Sequence, residues 1–196
     1  MQDIRAVCFD AFGTLCRIGE RHRPFETLFN RLGVDFHTGG CLAMTTNEGL
    51  VEIATRLGDI STSEGLVAKL NKELASITLF DETFESLQAL SRAGLKTWVI
   101  SNLAAPYGVP LRRLLGETVS GYSLSFEVGV MKPAPKIFAH ACSRLSITPN
   151  QVLMVGDSLK ADVQGAEKFG MRAIWLRRGY IGEWPQSVGT LSELVN

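Results

Sequence analysis

Apolar positions along this chain follow two regimes. Ala6, Val7, Cys8 and Phe9 form a short continuous apolar run that ends in Asp10 and a turn-forming stretch, Ala11 Phe12 Gly13 Thr14, the pattern of a buried strand leading into a tight turn. From Cys16 to Phe80 the period is helical. Pro24 opens a predicted helix with Phe25, Leu28, Phe29 and Leu32 on one face and Gly33 as its stop. Asn47 is expected to cap a second helix, with Leu50, Ile53, Ala54 and Leu57 as its stripe and Gly58 at its end. A third is expected over 63–76, where Leu66, Leu70 and Leu74 share a face. Residues 35–46 contain Gly39 and Gly40 and no clear period, and read as a loop able to shape a pocket.

From Asp81 onward helix and strand alternate. Asp81 is expected to cap a helix carrying Phe84, Leu87 and Leu90 and stopped by Gly94, after which 96–100 reads as a buried strand delivering Ser101 and Asn102. Further strands are expected near 122–126, 152–155 and 172–176, with helices near 135–145 and 159–169. This rhythm makes a parallel sheet covered by helices on both faces. The expected fold class is therefore α/β, with a core from residues 1–15 and 81–196 and a small α-helical cap, residues 16–80, inserted after the first strand on short hinges.

Composition narrows what such a fold can serve. A chain of 196 residues supports one main core rather than two large domains. Lys plus Arg and Asp plus Glu number 20 each, so no global positive field draws a nucleic acid, and phosphate recognition has to be local. Cys8, Cys16, Cys41 and Cys142 form no short-spaced pair of the kind that binds zinc or shuttles electrons, and read as small apolar residues in a reducing compartment. No apolar stretch reaches the ~20 residues needed to cross a bilayer, and no secretory pattern opens the chain. A cytoplasmic protein with no membrane partner is expected.

Polar groups collect after the predicted strands. Asp10 follows the first, Ser101 and Asn102 the second, Lys132 the third within Gly129 Val130 Met131 Lys132 Pro133, and Asp157 the fourth within Gly156 Asp157 Ser158. Each alone has an ordinary explanation: a turn carboxylate, a helix cap, a solvated lysine, a paired aspartate on a helix. Together they bring a carboxylate nucleophile, a hydroxyl donor, a cation and a second carboxylate to the edge of an open sheet where ligands bind.

Asp10 Ala11 Phe12 Gly13 Thr14, Ser101 Asn102, Lys132 Pro133, and Gly156 Asp157 Ser158 with Asp162 resemble the four ordered motifs of the haloacid dehalogenase (HAD) superfamily. The resemblance implies a Rossmann-like core with a cap inserted after the first motif, and hydrolysis of a small molecule through a covalent aspartyl intermediate. Asp10 would attack, Thr14 would orient the turn, and Ser101, with Asn102 beside it, would donate to a substrate oxygen. Lys132 would offset the repulsion between an anionic nucleophile and an anionic substrate, so alanine there is expected to cripple turnover without unfolding the protein.

What is attacked is read differently from different motifs. In the superfamily's phosphatases the residue two past the nucleophile is an aspartate that protonates the leaving alkoxide, with a backbone carbonyl on magnesium. Here it is Phe12, which keeps the carbonyl and loses the acid, as in the metal-independent (S)-2-haloacid dehalogenases. Asp157, in contrast, matches the phosphatases' metal ligand. Asp10, the Phe12 carbonyl and Asp157 would hold Mg²⁺, with Ser158 and Asp162 behind them and Asp162 steadying Lys132. Without metal, Asp10 and Asp157 should repel and one pKa should rise. Between Arg31 and Arg56 there is no Arg or Lys to grip a haloacid, only His37, and Arg21, Arg23 and Arg31 read as solvated. A Mg²⁺-dependent phosphatase acting on a small phosphorylated metabolite is therefore the favoured expectation. A dehalogenase is the alternative, and a catalytically silent binding module a third. Trp98 and Trp175 are expected in the core and Trp184 at the surface. His22, His37 and His140 are too scattered for a metal cluster, and Arg177, Arg178, Gly179 and Gly182 read as a solvated tail.

Overall fold

A computed structural model describes residues 3–59, 63–179 and 187–194, so Gly182 and Trp184 lie outside the described residues. The strands, in chain order, are β1 (Ala6–Phe9), β2 (Cys16–Ile18), β3 (Ile77–Leu79), β4 (Lys96–Ser101), β5 (Tyr122–Leu124), β6 (Val152–Gly156), β7 (Arg172–Leu176) and β8 (Ser187–Val188). The α-helices are α1 (Pro24–Leu32), α2 (Phe36–Thr45), α3 (Leu50–Arg56), α4 (Ser63–Ala75), α5 (Thr83–Arg92), α6 (Ala105–Leu115), α7 (Ser125–Val128), α8 (Pro135–Leu145) and α9 (Gly165–Phe169).

A six-stranded parallel sheet runs in the order β5-β4-β1-β6-β7-β8. Because side chains alternate across a strand, β1 feeds two apolar layers. Val7 and Phe9 pack with Leu87, Val99 and Leu111 on one face, while Ala6 and Cys8 pack with Ile100, Phe138 and Met154 on the other. Burial on both faces explains why β1, β4 and β6 read as continuous apolar runs. After β1 the chain enters β4 and β5 on one side and then crosses to β6 on the other. The crevice beyond the carboxyl ends of β4, β1 and β6 is thus the switch point of an α/β sheet.

The α1–α4 segment stands on a separate antiparallel pair, β2 with β3, in which Cys16 faces Leu79 and Ile18 faces Ile77. Its helices bury Phe25, Leu28, Phe29, Ile53, Leu66 and Leu70 against one another. Three-residue strands are too short to show a period, which is why β2 and β3 have no signal in the sequence.

Several local expectations are corrected. Residues 35–46 are not a loop, because Asp35 caps α2 by accepting from the Thr38 N–H at 3.0 Å. Gly39 does not break that helix: a Cβ there would stand 2.6 Å from the Phe29 ring, so the glycine lets α1 and α2 approach closely. Gly49, not Asn47, caps α3, and Glu82, not Asp81, precedes α5, where Thr83 instead donates its hydroxyl to the Leu15 carbonyl at 2.8 Å. The strand expected over 122–126 stops at Leu124 and turns into α7. The helix expected over 159–169 opens as a π-helical turn, Leu159–Gln164, before α9. The four cysteines are free. Among the described residues no helix is long and apolar enough to cross a membrane.

Candidate active site

Asp10 continues the ladder of β1, its N–H donating to the Val155 carbonyl at 2.9 Å, so its carboxylate leaves from the last rung of the sheet. The chain then doubles back as the Leu15 and Cys16 N–H groups donate to the Ala11 carbonyl at 2.8 and 2.9 Å. Gly13 holds φ +94°, and a Cβ there would lie 2.1 Å from Oδ2 of Asp157. Glycine therefore serves both the turn and the carboxylate resting against it.

The other motif residues converge on Asp10, which is 7% exposed. Its Oδ1 accepts from Lys132 Nζ at 2.6 Å and from the Ser101 hydroxyl at 3.1 Å. Lys132, 4% exposed, also donates to the Ile100 carbonyl at 2.6 Å and stands 2.6 Å from Oδ1 of Asp162. One buried ammonium thus faces three oxygens. Asn102 grips the backbone of Lys132, accepting from its N–H at 2.7 Å and donating to its carbonyl at 3.0 Å. Oδ2 of Asp162 accepts from the Ser158 N–H at 2.9 Å, and the Ser158 hydroxyl accepts from the Ala161 N–H at 3.2 Å. The π-helical turn that follows carries Asp162 on its inner side, a device that recurs at functional sites.

Asp10, Asp157 and Asp162 each offer an oxygen within 4.8 Å of the others. Burial pushes the Asp10 carboxyl up to about 6; Lys132 pulls it down, and Asp162 and then Asp157 push it up. The rise foreseen from carboxylate repulsion is present, with desolvation as its larger cause. Asp157 is raised too, by desolvation and then by Asp162, with Lys132 and Arg178 opposing. Burial works against the Lys132 ammonium, yet Asp10 and Asp162 outweigh it and hold that pKa above the ordinary lysine value. The Phe12 carbonyl accepts no hydrogen bond among the described residues, and the Thr14 hydroxyl is buried without a partner. Clustered carboxylate oxygens with a spare carbonyl fit a hard divalent cation that keeps some of its waters.

Three features had no clear signal in the sequence. Arg178 is not part of a solvated tail: its Nε donates to the Gly13 carbonyl at 3.1 Å and one Nη to the Thr14 carbonyl at 2.6 Å, the other Nη pairs with Glu82, and the group lies 3.7 Å from the centre of the Phe80 ring. Trp175, half-buried rather than in the core, donates its indole N–H to the Asp157 carbonyl at 2.9 Å. Glu73 is buried and accepts from the His22 and Arg23 N–H groups at 2.7 and 2.8 Å and from the Tyr107 hydroxyl at 2.9 Å, tying α4 to α6. His140 places Nδ1 2.8 Å from the Ser123 hydroxyl, away from this cluster.

Beside the turn a cavity of about 340 Å³ opens between α1, α2 and α6. Phe12, Phe25, Phe29, Met44, Asn102 and Leu103 are among its lining residues. Phe12 meets Tyr107 edge to face with ring centroids 5.9 Å apart. Phe36 lines the cavity and yet is 58% exposed. Arg21 and Arg23, read from sequence as solvated, also line it.

A parallel α/β sheet that gathers a carboxylate, a hydroxyl, a buried lysine and paired aspartates at its switch point has the layout of a hydrolase site. The haloacid dehalogenase-like hydrolase family matches residues 4–170, and the chain belongs to that family. A glyceraldehyde 3-phosphate phosphatase of Methanopyrus kandleri is 34% identical over 116 residues, covering 58% of this chain and 50% of that one. An (S)-2-haloacid dehalogenase 4A of Burkholderia cepacia is 26% identical over 202 residues, covering 91% and 85%. The crystal structure of a HAD phosphatase from Thermococcus onnurineus superposes with a TM-score of 0.68 at 24% identity, over 97% of this chain and 96% of that one. At that identity the likeness speaks for the fold alone. The chain spans about half the length of the glyceraldehyde 3-phosphate and phosphoserine phosphatases that it matches in sequence.

Proposed function

We propose that the chain is a Mg²⁺-dependent phosphatase acting on a small phosphorylated molecule through an aspartyl-phosphate, with residues 16–80 as a cap over the site. The observation that carries this reading is the crowding of Asp10, Asp157 and Asp162 within 4.8 Å, which a divalent cation relieves and a metal-free site would not need. Asp10, Asp157 and the Phe12 carbonyl would hold Mg²⁺, whose charge would screen the phosphoryl oxygens from the nucleophile. Asp10 attacks phosphorus through the carboxylate oxygen not engaged by Lys132, the leaving oxygen departs, and water then cleaves the acyl phosphate. Ser101 and Lys132 stabilise charge on the transferring group, Asn102 fixes the loop that carries Lys132, and Thr14 offers its unpaired hydroxyl to the turn or the substrate.

The second reading, a metal-independent haloacid dehalogenase, is favoured by Phe12, since halide leaves without a proton, and by the long match to such an enzyme. Assaying acetyl phosphate and L-2-chloropropionate with and without Mg²⁺, for wild type and Asp10→Asn, separates the two. Mg²⁺-dependent phosphate release lost in the variant is expected. Metal-independent halide release overturns the phosphatase reading, and silence with these two substrates and across a phosphate-monoester panel would leave a binding module in its place.

A further inference from the structure

The cavity that Phe12 lines, two residues beyond Asp10, offers few uncommitted polar groups. Glu73 already accepts three hydrogen bonds, Glu26 pairs with Arg23 at 3.3 Å, and Asn102 is occupied at both ends by the Lys132 backbone. Among the described residues, Arg21 is the charged wall residue with no hydrogen bond or ion pair, and it is exposed at the mouth. Apolar side chains, among them Phe12, Phe25, Phe29, Met44 and Leu103, and the ring of Tyr107 make much of the remaining lining. A sugar hydroxyl buried there would give up its water with only the exposed Arg21 and already engaged carboxylates as partners.

The same wall is short of a proton donor. Phe12 stands where an acid would serve the leaving oxygen, and the carboxylates of Glu26 and Glu73 are engaged as acceptors. The Tyr107 hydroxyl donates to Glu73, and burial, then that carboxylate, pushes the phenol well above its usual range, so it keeps its proton. The oxygen that leaves phosphorus as Asp10 bonds to it therefore departs with its electron pair and without a proton from this wall. Phenols ionise near ~10 and carboxylic acids near ~4, whereas water, the model for an aliphatic alcohol, ionises near ~15.7.

Resting on the phosphatase reading, we propose that the substrates are phosphoryl derivatives of an acidic oxygen borne on a flat apolar body: aryl phosphates or aromatic acyl phosphates. The Asp10 oxygen forms a bond to phosphorus as the bond from phosphorus to the phenolic or carboxylic oxygen breaks, releasing phenolate or carboxylate. Water then adds to phosphorus, Asp10 is regenerated, and the water's protons pass to inorganic phosphate and solvent.

The test uses the purified protein with Mg²⁺ against phenyl phosphates of graded phenol acidity, glycerol 3-phosphate, and the pair acetyl and benzoyl phosphate. The rate is expected to fall steeply as the leaving group becomes less acidic, with glycerol 3-phosphate at least ~10²-fold slower than phenyl phosphate, the factor a general acid supplies. Benzoyl phosphate is expected to show a KM ~10-fold or more below that of acetyl phosphate, because only the ring reaches the apolar wall. Phe12→Asp should flatten the dependence on leaving group; if that variant does not fold, the wild-type series and the KM pair decide alone. Glycerol 3-phosphate turned over as fast as phenyl phosphate, or equal KM values for the acyl pair, overturns this inference and leaves the phosphatase reading standing. No phosphate from any substrate removes both.

Discussion

Lys132 faces Asp10, Asp162 and the Ile100 carbonyl from a position 4% exposed, so its removal does more than weaken catalysis. Sequence suggested that alanine there would spare the fold. Burial argues otherwise, because two carboxylates would be left facing each other without a cation. Lys132→Ala is expected to lower turnover ~10²–10³-fold. It should also cost roughly 3–5 kcal/mol, as breaking a buried pair does. Urea unfolding beside the phosphate assay checks both. Gly13→Ala should strain the turn, which holds φ +94° there, and push Asp157 aside, so a loss of stability in urea unfolding and of the stabilisation by Mg²⁺ that the proposed function predicts is expected. Both positions were legible because residue type and place after a strand agreed. The resemblance also implied that Asp162 steadies Lys132, and the two stand 2.6 Å apart, whereas the closeness of Gly13 to Asp157 had no signal because they meet only after the sheet has formed.

At the level of elements, the end of β7 acts on the turn after β1. Arg178 holds two carbonyls of that turn and ties them to Phe80 and Glu82, where the chain returns from β3. Arg178→Gln is expected to lower kcat by up to ~10²-fold with little change in KM, because it shifts the aim of Asp10 rather than the pocket. Tyr107→Phe removes the donor that joins α6 to Glu73 on α4 and should cost roughly 1.5–3 kcal/mol in urea unfolding, the range for a hydrogen bond to a charged group. Neither contact shows in sequence, where an arginine after a strand and a tyrosine in a helix look ordinary. The same limit concealed α2. Gly39 and Gly40 read as breakers, but at Gly39 the Phe29 ring fills the space that a side chain would take, while Gly40 faces open space.

For the whole molecule, β4, β6 and β7 were legible because strands within a covered parallel sheet cannot hide their composition, whereas α6, which carries Gly108 and Pro110, had no signal. The β2 and β3 pair and the π-helical turn were not legible either, being too short for a period. The assembled charge cluster sets a pH response. The Asp10 carboxyl rises from 3.8 to about 6 on folding, so the folded state binds the extra proton between those values. Its contribution to stability is present below the lower value and lost as pH rises through the upper one. In metal-free protein, the melting temperature of Asp10→Asn relative to wild type should therefore climb from about pH 4 to about pH 7 and then level off. Saturating Mg²⁺ should narrow that gap by raising wild type alone, and a gap independent of pH would contradict the assignment of the rise to Asp10. Phe36 has a different consequence. It lines the cavity while 58% of it lies open, so its replacement perturbs little of the core. A lineage of this chain can drift toward new substrates through that position at almost no risk to folding, and a laboratory library would start there.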